Sequence, residues 1–163
     1  MEQKLESFKL FNNLRVDEIA KLISLAKKQT FEAGEFIFKE GELSKSFHIV
    51  CSGKVEVFSS PDENQHIELV KIGPGSTVGE VGFIDGKERT ASVRCITSTI
   101  TLTLTRNEFN EIIDKDPQLA LKILKEIGIV LSERLRWCDK LLVNNDDIII
   151  SSSFLHAIEA SGV

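Results

Sequence analysis

Between Val16 and Lys28 the apolar residues Ile19, Leu22, Ile23 and Ala26 recur at the spacing of one helical face. Leu10 and Phe11, just ahead of them, are placed to pack back on that face. From Thr30 the period drops to two: Phe36 and Phe38 alternate with Ile37 and Lys39, and Gly41 marks a turn. Phe47, Ile49 and Cys51 run into Ser52-Gly53, and Val55 and Val57 follow, a pattern that predicts a hairpin across that turn. Pro61-Asp62-Glu63-Asn64 reads as a polar turn before Ile67 to Ile72, and Gly73-Pro74-Gly75 is the strongest breaker in the chain. Ala91, Val93 and Cys95 share one parity. Ile100, Leu102 and Leu104 take the other, alternating with Thr99, Thr101, Thr103 and Thr105. The switch predicts a turn or bulge near Thr97-Ser98, with the Ile and Leu side chains inward.

A closing helix is predicted from near Pro117 to about Val143, carrying two apolar stripes. One is Ile123, Ile127, Val130, Trp137 and Leu141, interrupted by Arg134; the other is Leu124, Leu131, Leu135, Cys138 and Leu142. Together they are wider than the single face needed to lie on a sheet, so a partner helix is expected on the surplus stripe. Gly128 costs about 1 kcal/mol relative to Ala in a helix interior and marks the expected bend. Asn144-Asn145-Asp146-Asp147 is read as the stop, followed by a short segment from Ile148 to Ala160. Short strands between helices predict an α+β, mainly β fold: a β-roll or jelly roll with N-terminal helices and a hinged long C-terminal helix. The expected layout is one domain over residues 1–143, with the roll at about 30–106 and the C-terminal helices at about 107–143. Residues 144–163 form a short extension.

Composition narrows the function classes. A net charge of −5 and a pI near 5.3 argue against broad non-specific binding to nucleic acid or an anionic membrane. Cys51, Cys95 and Cys138 are far apart and odd in number, without zinc-like spacing, so a reducing cytosol is expected. Cys51 and Cys95 fall on inward strand positions and read as core. The charged start, Met1-Glu2-Gln3-Lys4, does not resemble a signal peptide, and no apolar run reaches membrane-spanning length; a cytoplasmic location is expected. His48, His66 and His156 form no metal or triad pattern with the carboxylates, so neither catalysis, a metal nor a cofactor is expected.

The candidate chemistry lies in Gly79-Glu80, followed by Arg89-Thr90-Ala91. These residues set an acceptor carboxylate, a guanidinium and a hydroxyl around a glycine-bounded segment. A small sugar phosphate needs such a set, with an anion clamp at one end and a hydroxyl reader at the other. The competing reading is a surface ion pair between Glu80 and Arg89, with the glycines serving turns.

This cassette resembles that of the cyclic nucleotide-binding domain family, found in catabolite-activator-type regulators, cyclic-nucleotide-dependent kinases and gated channels. The resemblance extends over about residues 8–142 and includes Phe31-Glu32-Ala33-Gly34-Glu35, Gly41-Glu42, Cys51-Ser52-Gly53-Lys54-Val55 and Gly73-Pro74-Gly75. Leu43-Ser44-Lys45-Ser46 departs from it, where the family often has an acidic or glycine-containing turn. The resemblance implies cAMP or cGMP as ligand, held by Gly79, Glu80, Val81, Arg89, Thr90 and Ala91. Arg89 would fork the exocyclic phosphate oxygens, Glu80 accept from the ribose 2′-hydroxyl, Thr90 reach phosphate or a syn base, and the Ala91 N–H complete the phosphate contacts. Base contacts are implied on the closing helix at Arg136, Trp137, Cys138 and Asp139, with Arg94 as a possible support of the phosphate end. The expected protein is a sensor whose C-terminal helices move on binding and regulate a partner, with a homodimer through that helix as the simplest partner. The roughly twenty acidic or apolar residues after Val143 are too few for a winged helix, so no direct DNA binding is expected. A nucleotide-independent scaffold with a degenerate pocket is the alternative.

Overall fold

The computed structural model describes residues 8–60 and 65–144, with side chains as far as residue 140. The strands are β1 (Lys27–Phe31), β2 (Phe36–Phe38), β3 (Ser46–Ser52), β4 (Val55–Ser59), β5 (Ile67–Ile72), β6 (Thr77–Val78), β7 (Ser92–Cys95) and β8 (Thr99–Thr105). They form two antiparallel sheets, ordered β1-β8-β3-β6 and β2-β7-β4-β5. Between the sheets, Phe38, Val50, Val55, Val78, Val93 and Cys95 make a buried core, with Phe31, Ile37, Val57 and Ile72 packed against it. The mainly β roll flanked by helices is the fold expected from the pattern.

The hairpin expectation fails because the chain changes sheet where the pattern suggested it stayed, and the expected inward face of β8 is reversed. β3 and β4 do not form a hairpin. β3 pairs with β8 and β6, whereas β4 pairs with β5 and β7. Gly53, at φ +87°, carries the chain from one sheet to the other, passing so close to the start of β8 that a Cβ there would lie 2.4 Å from the Ser98 carbonyl oxygen. The parity switch at Thr97-Ser98 is the return crossing, from β7 in the second sheet to β8 in the first. On β8 the inward face is the threonine face. Thr99, Thr101 and Thr103 are buried, while Ile100 and Leu102 are only half-buried and Leu104 is buried. β3 is covered on both sides, with Phe47, His48, Ile49 and Val50 all buried in succession.

The first helix, α1 (Val16–Leu25), stops short of the expected Lys28, because Lys27 already pairs with Thr103. β1 lies at the edge of its sheet, a position that suits its long polar side chains. Leu10 and Phe11 are buried in a 3₁₀ turn, as expected. The α2 helix (Glu80–Asp85) leans on β3 through Phe83, whose ring meets Phe47 at 4.9 Å and Phe109 at 5.5 Å. Phe109 belongs to α3 (Arg106–Lys115), whose start is closed by a capping box between Thr105 and Glu108.

The last helix, α4 (Pro117–Asn144), has the expected bounds. The described residues fall into two compact units that divide after Gly128. In the first, Leu119, Ile123 and Ile127 are buried, and Lys122 Nζ bonds both Glu18 carboxylate oxygens at 2.7 and 2.8 Å. That pair, with the Arg15 N–H donating to Glu18 Oε2, holds the Glu18 carboxyl below its usual range. In the second unit, Leu135 and Trp137 are exposed, in keeping with a surplus stripe. Among the described residues no helix is long and apolar enough to cross a membrane. The turn at Pro61-Asp62-Glu63-Asn64, the stop after Asn144 and the segment from Ile148 to Ala160 lie outside the described residues.

Candidate functional site

The breaker Gly73-Pro74-Gly75 ends β5 and leads into β6, which pairs with His48 and Ile49 of β3 and delivers Gly79 to the roll. Gly79 sits at φ +82° and turns the chain into α2; the Gly86 N–H closes that helix on the Gly82 carbonyl at 3.0 Å. The returning chain then runs beside residues 41–44. The Arg89 N–H donates to the Glu42 carbonyl at 2.8 Å, and the Gly41 N–H donates to the Arg89 carbonyl at 2.9 Å. Arg89 is thus anchored by its backbone to a loop outside the cassette.

Its side chain turns inward and is only 6% exposed. Nη1 donates to the Gly79 carbonyl at 2.8 Å, Nη2 to Ser46 Oγ at 3.4 Å, and Cζ stands 3.9 Å over the Phe38 ring centroid, a cation–π arrangement. Glycine suits 79 for the positive φ, and a Cβ there would lie 2.3 Å from Nη1, so any side chain would push the guanidinium out of place. Burial pulls the Arg89 pKa down while the Glu42 and Glu80 carboxylates oppose the shift. A guanidinium starts so high that it stays charged. Arg89 lines a cavity of about 420 Å³ together with Phe38, Glu42, Ser46, His48 and Thr103, with Lys27 and Lys45 also in its wall. That volume suits a small ligand, pockets for which run from about 300 to 1,000 Å³. Three cations against one carboxylate favour an anion. His48, desolvated and beside Arg89, has its pKa lowered to about 3 and is neutral.

Of the six expected ligand residues, Arg89 alone is in the wall of this cavity, and its Nη1 holds the Gly79 carbonyl. Glu80 is fully buried and Ala91 buried, while Val81 and Thr90 are exposed. Arg136, Trp137, Cys138 and Asp139 are exposed residues of α4 in the second unit. Arg94 pairs with Glu56 at 2.8 Å on the second sheet. Among the described residues no cluster of His, Cys, Asp and Glu is placed to hold a metal ion. Sequence reasoning missed Phe38, Ser46 and His48 as neighbours of the guanidinium. Their shared parity across β2 and β3 was the available signal, but it pointed equally to ordinary core.

Comparison with known proteins gives consistent matches. The family model of the cyclic nucleotide-binding domain matches residues 28–116. A solved cyclic nucleotide-binding domain from Methylobacillus flagellatus KT superposes with a TM-score of 0.80 at 25% identity, covering 91% of this chain and 86% of that one. The cyclic AMP receptor protein of Thermus thermophilus is 31% identical over 130 residues, 80% of this chain but 58% of its own length. The mouse potassium/sodium hyperpolarization-activated cyclic nucleotide-gated channel 2 is 27% identical over 146 residues, 90% of this chain and 16% of the channel. The chain therefore spans little more than half of the first relative and a small part of the second.

Proposed function

The chain belongs to the cyclic nucleotide-binding domain family, and on that premise we propose that it is a receptor for cAMP or cGMP whose binding moves its C-terminal helices and so regulates a partner protein. The observation that carries this reading is the Arg89 guanidinium, buried at the wall of a cation-lined cavity. A cyclic phosphodiester carries one negative charge on two exocyclic oxygens, which a planar fork matches.

Glu80, at 0% exposure, can accept from a ribose 2′-hydroxyl only after the segment 79–91 rearranges, so ligand contact and local movement are one event. Thr90, already exposed, is free to follow the phosphate. Base contacts are assigned to Arg136, Trp137, Cys138 and Asp139, with the helix bending at Gly128, the residue of lowest helix propensity in its middle. The ligand shifts this equilibrium only by its differential affinity for the closed state.

Isothermal titration tests the reading. cAMP comes first because the relative at 31% identity is named a cyclic AMP receptor protein. We expect binding of cAMP or cGMP, and about tenfold or greater weakening with the 2′-deoxy form, which leaves the Glu80 carboxylate facing no hydroxyl. No heat at high micromolar concentrations of either nucleotide would favour the scaffold alternative.

Partner binding is assigned to α4, where Leu135 is 61% and Trp137 51% exposed. The simplest partner is the same helix of a second copy. Light scattering at high micromolar concentration, with and without ligand, is expected to give twice the monomer mass. A monomer under both conditions would exclude the homodimer and leave a different protein as partner.

A further inference from the structure

Behind Arg89 a continuous line of polar side chains crosses three strands of one sheet, through buried His48 and Thr103 to the exposed Gln29 on the edge strand. Arg89 Nη2 is 3.4 Å from Ser46 Oγ, which is 3.2 Å from His48 Nε2. On the other side of the ring, His48 Nδ1 is 2.9 Å from Thr103 Oγ1, which is 2.6 Å from Gln29 Oε1. Thr101 Oγ1 stands a further 3.3 Å from Thr103 Oγ1.

The accepting end of the line sets its direction. Thr103 gives its one hydrogen to the Gln29 amide oxygen, which only accepts, so it must receive one from His48 Nδ1. Nδ1 then carries the proton of the neutral ring, and Nε2 accepts from Ser46. The Ser46 oxygen still has a lone pair for the Arg89 hydrogen. One neutral tautomer satisfies every member. An imidazolium would instead present a second donor to Ser46 and a second positive charge beside Arg89.

We propose that His48 is a positioning residue for Arg89: as the Nδ1–H tautomer it turns the Ser46 lone pair toward Nη2 and sets the plane of the guanidinium for the incoming phosphate. The ligand part of this inference rests on the function proposed above; the orientation part does not. At 3.4 Å the bond to Ser46 is long, so it aligns the fork yet yields readily to an anion. Burial and the Arg89 charge, which hold the imidazole pKa at about 3, keep the ring neutral throughout the physiological range. The Phe38 ring fixes one face of the guanidinium and the Gly79 carbonyl one nitrogen. Ser46 supplies the remaining restraint, against rotation of Nη2.

Nitrogen-15 NMR of the ligand-free full chain tests the orientation directly. The expected spectrum shows Nε2 of His48 unprotonated and Nδ1 protonated, with separate, slowly exchanging Nη1 and Nη2 signals for Arg89. In folded His48→Phe and Ser46→Ala the two Nη signals should merge. His48→Gln, whose amide oxygen can still accept from Ser46, should keep them apart. With cAMP, His48→Phe and Ser46→Ala should each weaken binding about five- to tenfold, the scale of one hydrogen bond, with the double variant little worse than either. An Nε2–H tautomer, or Nη signals that stay separate in His48→Phe, would overturn the proposal whether or not any nucleotide binds. Unchanged affinity in a folded His48→Phe would overturn it as well. A wild-type chain that binds neither nucleotide but shows the expected spectra would instead count against the receptor reading alone.

Discussion

Arg89→Ala is expected to abolish most of the affinity for cyclic nucleotide, raising Kd by about a hundredfold. Truncating one partner of a buried charge pair costs about 2–5 kcal/mol, and about 3 kcal/mol corresponds to a hundredfold. The geometry supports a large value because the side chain is already desolvated before ligand arrives, at 6% exposure. The phosphate would meet a cavity with Lys27 and Lys45 as its remaining cations. Both are exposed, and exposed charges are screened. The substitution also leaves the Gly79 carbonyl without its 2.8 Å donor and the Phe38 ring without its cation, so stability should fall too. Arg89→Lys separates the two effects. A point charge retains attraction but not the fork, so its affinity should lie between wild type and Arg89→Ala. Titration calorimetry alongside thermal melts decides the matter. A folded Arg89→Ala variant that binds within about threefold of wild type would remove the guanidinium from the account.

The largest stability loss is expected from Gly53→Ala. Its φ of +87° costs an L-residue about 1–2 kcal/mol. The new Cβ would lie 2.4 Å from the Ser98 carbonyl oxygen and 2.7 Å from Thr99 Cα, backbone atoms that cannot swing aside. Overpacking of this kind costs about 1–3 kcal/mol more. A combined loss near 3 kcal/mol should lower Tm by about 10 °C for a chain of this size. Gly34→Ala is the matched control: its φ is +89°, but nothing lies within 4 Å of the added methyl. It should show the conformational cost alone. Equal melting temperatures for the two variants would mean that the strand crossing at Gly53 yields without cost.

The same crossing explains what could and could not be read from the chain. Alternation of apolar residues marked the strands although their burial differs, with β3 covered on both sides and β1 and β5 largely exposed, and the parity switch at Thr97-Ser98 located a real discontinuity. Alternation cannot say which strand lies beside which. A glycine turn between two alternating runs looks the same whether the chain doubles back in its own sheet or passes to the other, so the pattern at Ser52-Gly53 suggested a hairpin that does not exist. The threonine face of β8 was misjudged for a related reason. A hydroxyl suits a solvent-facing strand position, yet Thr103 has His48 and Gln29 as partners and is satisfied inside. The approach of Arg89 to Gly79 was legible because the two are local in sequence and bracket a glycine-bounded segment. The supports of Arg89 were not, since Phe38 and Ser46 reach it only through tertiary folding. The extent of α4 was legible because Pro117 begins it and its apolar stripes persist to the end.

The strand order also governs how the chain reaches its native state. β4 and β5 are sheet neighbours that follow one another in sequence; β1 meets β8, β2 meets β7 and β3 meets β8 across long stretches of intervening chain. Closing such loops loses entropy before any contact compensates for it, which slows folding. During synthesis β1 leaves the ribosome well before β8 and has no sheet neighbour until residues 99–103 follow. Its Lys27-Lys28 pair is well suited to that interval, because charge on an unpaired edge discourages association with other nascent chains.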